Sequence, residues 1–218
     1  MSRPMQYDRE EALGKAMLIF WQKGYHATSL KDLEKGLNMK PGSIYCAFSS
    51  KENLYLLALD LYVRRSVARF QAHMEQASSP LTGLAEHLRG FAREGIDDGA
   101  RQVCMLTKTL VDVTSTAPDI AAQAKIHLMQ IRQAFADAFA SAKAAGELPV
   151  DADCMHLARR FQGAVTALRF ELHLDTDQTD IAALAEDLAR EVEAMRLSPP
   201  GTQLPLCAKH LAPSIRKE

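Results

Sequence analysis

The sequence predicts an all-α chain, and three observations carry that expectation. Helix formers dominate: 33 Ala and 27 Leu stand against 11 Gly and 9 Pro in 218 residues, and Ala and Leu lead the helix scale that Gly and Pro close. Apolar residues recur at i, i+3, i+4 and i+7 through most of the chain, the repeat of a helix with one buried face. Prolines punctuate that repeat. Pro41, Pro80, Pro118 and Pro149 stand where periodic runs begin or break, and proline suits a helix's first turn but not its interior.

The first helix is expected over residues 8–23, with Leu13, Ala16, Met17 and Phe20 on one face and Gly24 closing it. The second begins at Ser29, whose spacing to Asp32 resembles a capping box; Leu30, Leu33 and Leu37 are its apolar positions. Asn38 tolerates positive φ and marks a tight turn. A short helix follows within residues 40–48, its first turn pre-set by Pro41. A fourth is expected from about residue 51 to 77. Longer amphipathic helices are expected over residues 81–95, 101–115, 118–145, 151–174 and 180–196. Leu128, Ile131, Phe135, Phe139 and Ala142 share a face of the third of these, and Gly146 ends it. Four of the nine prolines fall in the last 20 residues, which reads as a loose tail. The organisation expected is residues 1–50, residues 51–197 and a Pro-rich tail of residues 198–218.

Composition removes several classes. The longest apolar runs, such as Met17 to Trp21, fall far short of the roughly 20 residues of a membrane span. The first residues show no apolar stretch of the signal-peptide kind. Cys46, Cys104, Cys154 and Cys207 are far apart, without a C-x-x-C pair, so neither a zinc ribbon nor a disulfide scaffold is indicated. The chain reads as cytoplasmic and reduced. Formal net charge is −1, so a nucleic-acid surface would have to be a local patch. No phosphate-cradling Gly loop, metal pair or nucleophile–base constellation stands out, so neither an enzyme nor a bound cofactor is expected.

The informative stretch is Thr28 to Lys51: helix, tight turn, short helix, and the start of a long one. Gly42 and Ser43 keep bulk low in the short helix's first turn, which lets its N-terminus approach a DNA major groove. Tyr45 offers a ring and a hydroxyl. Lys51 adds its charge to the positive end of the next helix, and Thr28 opens the second helix; all three suit phosphate contacts.

These residues resemble the TetR/AcrR family of bacterial repressors. The stretch Thr28-Ser29-Leu30-Lys31-Asp32-Leu33 is similar to the family's T-S/T-x-x-D-I-A. Gly42-Ser43-Ile44-Tyr45-Cys46-Ala47-Phe48 is similar to G-T-L-Y-x-x-F, and Lys51-Glu52-Asn53-Leu54 to K-E-x-L. The likeness spans about residues 10–60. Asn38 replaces the family's turn Gly, Glu34 and Leu37 replace small Ala positions, and Lys40 replaces the Ser that caps the recognition helix. The resemblance implies an all-helical homodimer with an N-terminal three-helix DNA-binding head carrying a helix-turn-helix. It implies a C-terminal helical body for ligand binding and dimerisation. Carried over by position, Lys40, Pro41, Gly42 and Ser43 would face base edges, and Thr28, Tyr45 and Lys51 would hold phosphates of double-stranded operator DNA. The last two helices would form the dimer interface, where Gly163 and Ala167, four apart, allow close approach; Leu184 and Leu188 are apolar positions of the last helix.

The same resemblance implies release from DNA by a small-molecule effector, or by an electrophile or oxidant. Some similar regulators carry a Gly-Cys pair where this chain has Val103 and Cys104, and sense through the cysteine. Arg101 and Lys108 are close to Cys104 in sequence and favour a thiolate, whereas Asp97 and Asp98 oppose it. Phe91, Phe135 and Phe161 are candidate pocket aromatics. Plainer readings stand beside these: Cys104 as a buried small residue, the Phe set as ordinary core, and Tyr45 as a core-edge ring. A helical adaptor without DNA binding is the alternative function, and a small helical enzyme a further one.

Overall fold

The computed structural model describes residues 8–93, 103–174 and 176–197, and among these every regular element is a helix. The order is α1 (Arg9–Lys23), α2 (Leu30–Leu37), α3 (Pro41–Phe48), α4 (Lys51–Gln76), α5 (Pro80–Arg93), α6 (Met105–Val113), α7 (Pro118–Ala144), α8 (Cys154–His173) and α9 (Gln178–Glu193).

Local chemistry sets most boundaries. Asp8 caps α1, accepting from the Glu10 and Glu11 amides. Ser29 and Asp32 form the reciprocal capping box at α2, and Asn38 ends that helix in the left-handed region at φ 53°. Ser50 caps α4 through the Asn53 amide. Asp153 and Asp177 cap α8 and α9, which moves those starts to Cys154 and Gln178 on either side of the positions the periodicity suggests. Helix α6 opens later than the pattern implies, at Met105. The expected turn of Asp97 to Ala100, Arg101, and the tail of residues 198–218 lie outside the described residues.

Two hydrophobic clusters organise the molecule. The first joins α1, α2, α3, the N-terminal part of α4, α6 and the start of α7, around Phe20, Leu33, Phe48, Tyr55, Leu59 and Leu106. The second joins the end of α4 to α5, the later part of α7, α8 and α9, around Phe70, Leu84, Phe135, Phe139 and Leu168. Helices α4 and α7 run through both. The head's core is therefore continuous with α4 and α6 and does not stop at residue 50. Gly36 lets α2 meet α1 closely, since a Cβ there would stand 2.3 Å from Ile19 Cδ1.

The second cluster is tied by charge at its edge. Arg89 on α5 donates to both carboxylate oxygens of Glu186 and of Glu193 on α9, at 2.7–3.2 Å. Those contacts hold Glu186 at about 2, chiefly through the Arg89 hydrogen bonds.

Candidate nucleic-acid interface and interior cavity

Helix α3 has two faces of opposite character. Ile44 and Phe48, four apart, are buried at 2% and 1% exposure and hold the helix to the head. Lys40, Gly42, Ser43, Tyr45 and Cys46 are exposed, and Pro41 is half-buried. The sequence-expected base-facing residues thus share the solvent side of one short helix. Lys40 makes no side-chain cap, so its ammonium is not used to close the helix start. A Cβ at Gly42 would meet nothing within 4 Å, so no internal contact demands glycine there.

The expected phosphate contacts divide. Tyr45 is 46% exposed and lies on the outer face. The Lys51 ammonium sits 4.6 Å from the Tyr25 ring centroid at the opening of α4, a cation–π placement that holds it beside a helix N-terminus. Partial burial lowers the Lys51 pKa from its ordinary value, while Asp112 and Asp32 oppose that shift. Thr28 is fully buried, and its hydroxyl donates to the Gly24 carbonyl at 2.6 Å. Its side chain is used inside the protein.

Helix α6 fastens the head to the rest. Lys108 donates to the carbonyls of Trp21 and Gln22 at 3.0 and 2.6 Å, at the C-terminus of α1. A cation there meets unsatisfied carbonyls and the negative end of the helix. The Trp21 indole N–H donates to the Val103 carbonyl at 2.7 Å. The Thr109 hydroxyl donates to the Met105 carbonyl at 2.6 Å and lies 2.8 Å from the Tyr55 hydroxyl. Burial raises that phenol to about 12. Lys108 therefore faces the head and not a ligand space.

Between α4, α5, α7 and α8 lies an interior cavity of about 50 Å³. Phe70, Phe91, Phe135, Leu128 and Ile131 supply apolar walls, and Tyr62, His87, Cys104, Gln162 and Arg169 supply polar ones. Phe91 and Phe135 thus line the space expected of them, and Cys104 joins them at the N-terminus of α6. Phe161 packs edge-on against Phe135 at 4.9 Å but lines the outer groove instead. His87 is buried, and burial pushes its pKa well below the ordinary value, with His73, Arg169 and Arg69 adding to that. The Nδ1 atoms of His73 and His87 lie 3.0 Å apart, a hydrogen bond in which one ring donates and the other accepts.

On the outside, Gly163, Ala167 and Leu188 line a groove between α8 and α9, and Leu184 stands half-buried on α9. A Cβ at Gly163 would meet nothing within 4 Å. Phe170 and Leu174 on the same helix end are 51% and 56% exposed, so this side presents apolar surface to solvent.

Comparison with known proteins agrees with this geometry. Residues 12–58 match the model of bacterial regulatory proteins of the tetR family, and residues 79–188 match the tetracyclin repressor-like C-terminal domain. The chain belongs to the TetR family. It is a transcriptional regulator of that family and not an enzyme. It is 34% identical over 160 residues to the HTH-type transcriptional repressor ComR of Escherichia coli (strain K12), covering 72% of this chain and 75% of that one. It is 28% identical over 195 residues to the HTH-type transcriptional regulator UidR of the same strain, covering 88% and 89%. A cysteine mutant of the TetR family regulator CifR, complexed with 26-base-pair operator DNA, is similar at a TM-score of 0.78 and 25% identity, covering 87% of this chain and 98% of that one.

Within this TetR-family frame, sequence reasoning missed the polar lining of the cavity. Gln162, Thr166 and Arg169 recur at i, i+4 and i+7 on α8, and all three line it. That spacing carries a polar stripe through an otherwise apolar helix face, and it was available as a signal. His87, set among Leu84, Leu88 and Phe91 on α5, was another. Among the described residues no helix is long and apolar enough to cross a membrane.

Proposed function

We propose that this chain is a homodimeric repressor that binds operator DNA through α3 and is released by a small molecule entering the interior cavity. The observation that carries the reading is the two-faced α3. Its inner side is fixed by Ile44 and Phe48, and its outer side offers Lys40, Gly42 and Ser43 in the first turn. Lys40, Pro41, Gly42 and Ser43 read base edges, while Tyr45 and Lys51 hold phosphates and set the register. Thr28 is fully buried with its hydroxyl on the Gly24 carbonyl, so it drops out of that set. Two such helices, one per protomer, enter successive major grooves about 34–36 Å apart on a near-palindromic site.

Dimerisation is assigned to the outer faces of α8 and α9, where Gly163 and Ala167 let a partner helix approach and Leu184 and Leu188 add apolar area. The regulatory route is α6. Cys104, the N-cap residue just before it, lines the cavity, and its middle holds α1 through Lys108. A ligand that repositions α6 changes the separation of the two heads, and it needs only a higher affinity for the form that cannot bind DNA. The site of action is the cytoplasm, where the operator lies.

A second reading of the trigger rests on Cys104. Its thiol lines the same cavity, so an electrophile or oxidant entering it meets a nucleophile. Cys104→Ser separates the two: induction that survives the substitution assigns a reversible ligand. Footprinting the DNA upstream of the chain's own gene tests the main reading. The expected result is a protected near-palindrome of two half-sites. Uniform protection at every concentration, without a preferred site, would contradict it.

A further inference from the structure

A buried guanidinium nitrogen without an acceptor points to the class of ligand, an inference that rests on the effector reading above. Arg169 is 6% exposed, and its Nη1 atom is buried without a hydrogen-bond partner. Its guanidinium lies 5.0 Å from the centroid of Phe91, another lining residue. Arg69 lines the same space from α4. The described lining contains no Asp or Glu. His87 packs against His73, and burial first, then His73, Arg169 and Arg69, push its pKa well below the ordinary value. A guanidinium N–H kept from water without an acceptor costs free energy that a carboxylate oxygen would recover. Arginine's planar fork also suits a carboxylate geometrically.

The neighbours argue against a simple inorganic anion. Gln162 is already committed, accepting from Arg132 Nε at 2.7 Å and donating to the Leu128 carbonyl at 3.2 Å. Around Arg169 the apolar walls are Phe70, Phe91, Phe135, Leu128 and Ile131, with the neutral hydroxyls of Tyr62, Ser66 and Thr166 between them. A buried guanidinium among aromatic and aliphatic walls is complementary to a carboxylate carrying an apolar body.

We propose that the effector is a small organic monocarboxylate with an aromatic or short aliphatic tail, and that Arg169 binds its carboxylate. Unliganded, Arg169 is a desolvated cation stacked on Phe91. Bound, it gains the missing acceptor while the tail fills the apolar walls. The contact spans α8 and α5 beside Cys104, the start of the helix that holds the head.

The test is calorimetric titration of the full chain with matched pairs: phenylacetate against phenylacetamide, and hexanoate against hexanamide. The acids are expected to bind at least tenfold more tightly than their amides. Arg169→Met keeps the packing against Phe91 and is expected to erase that preference, while Arg169→Lys retains part of it. Equal affinity of acid and amide for the wild-type chain would overturn the proposal. So would the absence of saturable binding by all four probes, or undiminished acid binding by Arg169→Met. Should Arg169→Met fail to fold by circular dichroism, the wild-type pairs and Arg169→Lys decide the matter. Operator anisotropy on the same preparation separates the two levels. Amides that displace DNA where acids do not would refute the anion assignment and leave the effector reading standing. A protein without operator preference refutes the regulator reading itself, whatever it binds.

Discussion

The head and the body use polar groups in opposite ways. In the head, function faces outward: Lys40, Gly42, Ser43 and Tyr45 are carried on the solvent side of α3, over a core closed by Ile44 and Phe48. In the body, the polar groups face inward: His87, Gln162 and Arg169 are buried around a space that the apolar side chains do not fill. A surface that must fit the regular shape of DNA gains from rigidity, and a short helix opened by Pro41 and pinned to a filled core provides it. The proposed ligand cavity retains unfilled volume and an unmet hydrogen bond, both of which cost stability until something binds.

The sharpest way to break this contrast is Gly42→Leu. The position opens onto empty space, so the substitution is expected to leave the melting temperature within about 2 °C. It is also expected to cost on the order of 100-fold in operator affinity, since each good base contact is worth about 1–3 kcal/mol and both protomers lose close approach. Anisotropy and a thermal melt read the two quantities. Parallel losses in both would make the outer face structural.

In the body, Arg89→Ala strips the contacts to Glu186 and Glu193. The Arg89 side chain is 16% exposed and its partners 35–37%, so solvent screening keeps the expected fall in the unfolding midpoint modest but measurable. Urea unfolding measures it. Lys51→Ala is expected to weaken binding to all DNA sequences alike and to reduce the magnitude of the salt slope by about 2 per dimer. Lys40→Ala and Ser43→Ala should instead change which sequence is preferred. Uniform losses for all three would remove the division between reading and holding.

The smallest effect separates the regions by pH. His87 ordinarily titrates at 6.5, and burial first, then His73, Arg169 and Arg69, depress it in the folded chain. The unfolded chain therefore takes up a proton below about 6.5 that the folded chain refuses. Stability is full above that value and falls as the pH drops. His87→Leu is expected to flatten this decline between about pH 7 and 5, as followed by denaturant midpoints. An unchanged slope would mean that His87 does not govern it.

The head was largely legible in the sequence because its signals are local. Ser29 with Asp32, Asn38, and Pro41 before a small-residue turn each fix backbone within a few positions, and the structure realises each of them. What the sequence hid there was tertiary. Only the packed head shows that Thr28 is fully buried, its hydroxyl turned back on the Gly24 carbonyl four residues earlier, and that Lys108 reaches across to α1. The body helices were legible as periodic runs, yet their roles were not. A Phe on an apolar face reads alike whether it walls a cavity, as Phe91 and Phe135 do, or lines an outer groove, as Phe161 does. Arg169 in an apolar face was the legible anomaly. Its meaning waited on the Phe91 ring and on a lining without carboxylates.

The most direct test of the account is a fluorescence-anisotropy titration of the full chain against the DNA upstream of its own gene and against scrambled DNA of equal length. At about 0.15 M salt, the outward-facing α3 predicts a preference on the order of 10³ or more, as specific regulators show. Equal, weak binding to both, with no preferred site among genomic fragments, would contradict the account and leave a helical adaptor in its place.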